Sequence, residues 1–258
     1  MYRPEDRQRL RDALLAAARQ DQRITGAALT GSAAVDREDR WSDIDLAFGL
    51  AAGVAAGRVV ADWTDRLYRR HGAVHHTDMT RGGTLYRVFL LADTLQVDIA
   101  FAPADEFGAI APTFRLVFGA ARDLPAAPPP EAATLVGLGW LYALHARSSI
   151  ARGRVWQAEY MISGLRDQVL ALSCLRHGVP AAQGRGMDDL PAEVTAPIVG
   201  ALVRSLNTAD LRRAFRAAAE ALLVEAGHVD PALVDRLAGP VGELADLGVE
   251  QPSGQIVR

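Results

Sequence analysis

The chain has 258 residues, 50% of them hydrophobic and 23% charged, with a formal net charge of −3 and a pI near 6.1. That length can bury a substantial core and is enough for two modest domains, and the composition is that of an ordinary globular protein. The acidic balance argues against a nucleic-acid partner, because affinity for phosphate backbones comes mainly from clustered positive charge.

Every residue in the Lys+Arg total is arginine. A phosphate bound here must therefore be held by guanidinium, backbone N–H groups or metal, and not by a P-loop lysine. The charged start MYRPEDRQRLRD lacks the apolar segment of a signal peptide, and no run approaches the ~20 apolar residues of a membrane span. The expectation is a cytoplasmic protein without a membrane partner. Cys174, alone in ALSCL, reads as a small core residue rather than part of a disulfide or metal site.

The first predicted helix covers 4–20, with Leu10, Leu14 and Ala18 at helical spacing and Pro4 in its first turn. A strand at 24–30 runs into a Gly31-Ser32 turn, and a second strand follows at 41–48. A helix over 54–70 uses Val59, Trp63, Leu67 and Tyr68 and stops at Gly72. Strands follow at 73–79, 84–91 and 95–101, the last two forming a hairpin around Ala92-Asp93-Thr94, with an irregular strand at 114–118. Residues 122–130 (RDLPAAPPP) form a stiff proline-rich linker. Beyond it only helices are expected, at 132–151, 155–177, 192–205, 208–227 and 231–247, before a frayed QPSGQIVR tail. The expected fold class is α+β. A mixed-sheet domain with flanking helices (1–121) precedes an all-α helical bundle (131–250).

The chemistry concentrates in LTGSAAVDREDRWSDIDLAFGL. A Gly-Ser turn after a strand lets backbone N–H groups and a hydroxyl approach a phosphate, although Gly31-Ser32 alone is uninformative. On a strand, Asp43 and Asp45 point to one face, while Ile44 and Leu46 point into the core. Two like charges side by side are costly without a cation between them. Asp98, in LQVDIAF, shares a face with Gln96 and Ala100. A third carboxylate there gives the oxygen-rich cage that Mg²⁺ prefers, and two such ions support in-line phosphoryl chemistry. Solvated aspartates on exposed strand faces are the plainer alternative.

Gly31-Ser32, ten residues, Asp43-x-Asp45 and a later single Asp98 together resemble the polymerase-β-like nucleotidyltransferase superfamily. The size and the sheet-then-helices order look like its antibiotic (aminoglycoside and lincosamide) and minimal members. The motif match covers 29–101, and the helical half matches only in general character. The resemblance implies that Gly31 and Ser32 hold the β- and γ-phosphates and that Asp43 and Asp45 ligate Mg²⁺. Asp98 would be the third carboxylate, either a ligand or the general base. The implied reaction is Mg²⁺-dependent transfer of a nucleoside monophosphate, AMP from ATP, to a hydroxyl of a small molecule, with release of pyrophosphate. An aminoglycoside or lincosamide antibiotic is the acceptor that this resemblance suggests.

In the second half, Glu159, Ser163, Arg166 and Asp167 lie on one helix face, with Met161, Leu165, Val169 and Leu172 on the other. By analogy with those enzymes, Glu159 is a candidate general base and Arg166 a candidate triphosphate contact. A solvated face with intrahelical ion pairs is the alternative. Relatives of this type complete the site within one chain or across a dimer, so a homodimer stays open. His75-His76-x-Asp78 reads as structural, because neighbouring strand residues face opposite ways. Arg87 has no direction fixed by the sequence. Trp63, Trp140 and Trp156 read as core or interface. The rival functions are a protein-modifying, antitoxin-like AMP transferase, an RNA-end-modifying enzyme, and an inactive regulatory nucleotide-binding module.

Overall fold

The computed structural model describes residues 2–126 and 128–246. Contacts divide the chain into two compact units, Met1–Ala127 and Pro128–Arg258, each with its own buried cluster. The architecture is α+β, as the sequence predicts.

In the first unit, α1 (Pro4–Gln20) precedes β1 (Ile24–Thr30), the single turn α2 (Gly31–Ala34), β2 (Ile44–Leu50) and α3 (Ala56–Arg70). Next come β3 (Ala73–Arg81), β4 (Thr84–Leu91), β5 (Gln96–Pro103), β6 (Gly108–Ala109), β7 (Phe114–Phe118) and β8 (Arg122–Asp123). Six of these strands form one sheet in the order β3-β4-β5-β2-β1-β7. Within it β2 and β5 run parallel, and the remaining pairs are antiparallel.

Alternation decides the two faces of the sheet. Ile44, Leu46 and Phe48 of β2, with Val97, Ile99 and Phe101 of β5, join Leu14 of α1 and Trp63 and Leu67 of α3 in one core. The opposite face of the central strands is lined by small residues, Ala28, Ala47, Ala100 and Ala102, beneath Phe107. A Cβ at Gly49 would come within 2.7 Å of the Phe107 ring, and one at Gly26 within 2.5 Å, so both glycines make room for it.

Three expectations are corrected here. The second strand begins at Ile44 rather than at 41, because the backbone before it is claimed elsewhere. The Ser42 carbonyl accepts from Tyr2 Oη (3.0 Å) and Arg7 Nη1 (2.9 Å), and Asp39 accepts from the Trp41 N–H (2.8 Å). Arg122-Asp123, expected to open the linker, pair in parallel with Gly108-Ala109. The helix expected over 192–205 stops early, as α6 (Ala192–Ile198) and a 3₁₀ turn at Val199–Ala201. Asp210 Oδ2 accepts from the Arg204 and Ser205 N–H groups at 2.6 and 2.8 Å, and Arg213 donates to the Leu202 carbonyl at 2.8 Å, which captures that backbone.

The second unit contains α4 (Ala132–Ala151), α5 (Val155–His177), α7 (Thr208–Val229) and α8 (Pro231–Ala245) besides α6. Asn207 caps α7 by accepting from the Asp210 N–H (2.8 Å), and Asp230 caps α8 through Ala232. Phe215, Leu165, Ile162 and Leu222 are fully buried at its centre, and Cys174 is buried too. Among the described residues no helix is long and apolar enough to cross a membrane. The expectations for 247–258 (the last helix end, the second-domain limit at 250 and the frayed tail) lie outside the described residues.

Candidate active site

β1 delivers the chain into α2 at Gly31, whose φ of +61° only glycine adopts without strain. A Cβ at that position would also fall on the Asp45 carboxylate. The turn and the carboxylate are therefore packed against each other, and glycine is required twice over. Arg115 of β7 holds the far end of the turn, donating to the Ala33 carbonyl (2.6 Å) and to Asp36 (2.8 Å).

Asp45 and Asp98 are direct partners in the parallel β2–β5 ladder, so both project from the small-residue face, away from α1 and α3. Asp98 Oδ1 is buried and accepts no hydrogen bond. Burial, together with the nearby negative charge of Asp43, pushes the Asp98 carboxyl up to about 6. Asp43 precedes the strand, and its Oδ2 accepts from Gln96 Nε2 at 2.9 Å. Gln96 thus holds Asp43 on the same side as Asp98, a role that the sequence reading missed. Among the described residues no group of three or more His, Cys, Asp or Glu side chains is arranged as a metal-ligand set. The expected cage of three is not formed: Asp45 and Asp98 are ladder partners, and Asp43 precedes the strand.

The loop from α2 to β2 is tied down from α1 by two buried arginines that sequence reasoning also missed. Arg7 reaches Glu38 (3.2 Å) and the carbonyls of Asp39 (2.6 Å) and Ser42 (2.9 Å), and Arg11 reaches Glu38 at 2.6 Å. The one available signal was their place on the buried stripe of the first helix, since Arg7, Arg11, Leu14 and Ala18 recur at helical spacing.

No family model matches the chain, and no curated protein matches its sequence. Among solved structures, an aminoglycoside 6-adenyltransferase from Bacillus subtilis is similar at a TM-score of 0.41 and 12% sequence identity, covering 90% of this chain and 96% of that one. At this level of similarity it assigns neither activity nor substrate to the chain.

The other sequence candidates separate cleanly. Arg87 shares its sheet face with Ile99 rather than Asp98, and it is engaged by Asp78 (2.6 and 2.7 Å) and Thr64 (2.5 Å). That pairing holds the Asp78 carboxyl below its ordinary value. His76 packs against Tyr68 and Phe89 and shares a 2.9 Å hydrogen bond with the Tyr68 hydroxyl. On α5, Arg166 donates to Ser163 (3.3 Å) and Asp167 (2.7 Å), and Ser163 donates to Glu159 (2.7 Å). The polar face there is a chain of intrahelical contacts. Trp63 is core, whereas Trp140 and Trp156 are exposed.

Proposed function

We propose that the chain is a nucleotidyltransferase that moves a nucleoside monophosphate, AMP from ATP, onto a hydroxyl of a small molecule. One observation carries this reading: Asp45 and Asp98 face each other in register beside the Gly31 turn, with Asp98 Oδ1 buried and unpartnered. Carboxylate oxygens are the donors that Mg²⁺ takes, and an unpaired buried carboxylate oxygen fits a cation. Asp45 and Asp98, with Asp43 beside them, are the residues that would hold it. When bound, Mg²⁺ would neutralise charge on the phosphates and on the leaving pyrophosphate.

The chain's own part is positional. Gly31 and Ser32 present backbone N–H groups and a hydroxyl to the β- and γ-phosphates. The acceptor hydroxyl oxygen bonds to the α-phosphorus while the bond to the β-phosphate bridging oxygen breaks. Pyrophosphate leaves, and Asp98 receives the hydroxyl proton.

The test is pyrophosphate release from ATP and Mg²⁺ over a panel of hydroxylated small molecules. Asp45→Asn should lower turnover by about 100-fold or more. Turnover indifferent to that substitution sinks the assignment. Labelling of a protein, with no small acceptor used, would instead favour the protein-modifying alternative.

A further inference from the structure

A cavity of about 200 Å³ opens on the small-residue face of the sheet, wholly within the first unit. Ala47, Ala100 and Ala102 line it from β2 and β5, Tyr86 from β4, and Phe107 and Phe114 from the segment after β5. Those two rings meet edge to face, with centroids 5.8 Å apart. Asp98 also lines this cavity.

The space follows from side-chain size. β2 and β5 place Phe48, Ile99 and Phe101 on the helix-covered face and alanines on this one. Two carboxylates border the cavity, but Glu106 is occupied by the Gly83 N–H (2.8 and 2.9 Å) and Thr84 Oγ1 (3.0 Å). That leaves a slot with mostly apolar walls, in which Asp98 is the carboxylate without hydrogen-bond donors on its buried oxygen and Glu106 is the one already hydrogen-bonded. Apolar cavities of about 150 Å³ hold a benzene ring. One ring therefore fits here, and an uncharged one suits walls of alanine and phenylalanine, where a charged one would lose water.

We propose that this cavity is the acceptor subsite and takes an uncharged ring carried next to the reacting hydroxyl, so that the acceptor is a ring-bearing alcohol or phenol. The proposal rests on the transfer reading for the fate of the hydroxyl, which must reach Asp98. Selection of an uncharged ring stands apart from that reading.

The probe is benzyl alcohol, followed by ligand-observed NMR on the full chain. Ala100→Leu fills the slot and should weaken binding by about tenfold, because the ring loses its contact partners. Phe107→Ala, which enlarges the slot, guards against a filled variant that fails to fold. It should keep benzyl alcohol and gain 2-naphthylmethanol. Equal binding of benzyl alcohol to the parent and to folded Ala100→Leu overturns the proposal. So does displacement of benzyl alcohol by 2-deoxystreptamine, or by adenosine, which would make the slot a nucleobase site. Benzyl alcohol binding that responds to Ala100→Leu, without any pyrophosphate release from ATP, keeps the ring subsite and overturns the transfer reading alone.

Discussion

Asp98 illustrates how a single side chain carries opposing demands. Burial and the charge of Asp43 raise its carboxyl from 3.8 to about 6. The folded chain therefore holds that proton more tightly than the unfolded chain does. The stability this provides is fully present below about pH 4 and is lost as pH rises through 6, a change on the order of 3 kcal/mol. Asp98→Asn should abolish the loss and leave a metal-free chain more stable at pH 7 to 8, which urea denaturation across that range would show. Carbon-13 titration of the parent should give a carboxyl midpoint near 6. Asp43→Asn should lower that midpoint only part of the way, because burial is the larger cause. Asp98 was legible in the sequence, since alternation places it opposite Val97 and Ile99, whereas Asp43 was expected on a strand that begins only at Ile44. The Asp43–Gln96 hydrogen bond was not legible, because it joins residues that only the parallel β2–β5 pairing brings together.

Among the elements, α1 does more than cover the sheet. Its Arg7 and Arg11 fasten the loop that links the Gly31 turn to the DxD strand. Arg7→Gln removes a buried charge from two carbonyls and Glu38, and should cost about 2–4 kcal/mol in chemical denaturation. Arg7→Lys should recover only part of this, because a single ammonium cannot serve the same spread of acceptors. Helix and strand positions were mostly readable from periodicity. The first helix, β1, β4, α4 and α5 fall where the spacing put them. Two of the three errors share a physical origin. At 41–43 and 202–205, side chains from elsewhere (Arg7 and Tyr2, then Asp210 and Arg213) claim the backbone groups that a strand or helix would have used. Local pattern carries no trace of such distant partners.

At the scale of the whole chain, the two units divide the folding problem between separate cores. Phe215, fully buried in the helical unit, should cost about 3–5 kcal/mol when cut to alanine. The loss should be read as earlier melting of helical ellipticity. The order of elements announced a sheet followed by helices, and the donor side of the proposed reaction was visible in five residues. The acceptor side was not. Its slot depends on Phe107 folding over Gly26 and Gly49, and the signal was the run of small residues alternating with large ones on β2 and β5. That alternation is easily taken for ordinary packing.

The contact between Gly31 and Asp45 also has a historical side. Because a side chain at Gly31 would collide with the Asp45 carboxylate, the two positions cannot drift independently. Shortening Asp45 would remove that collision, but the φ of +61° would still hold position 31 to glycine. For as long as the Asp45 carboxylate stays, any side chain at position 31 must displace it.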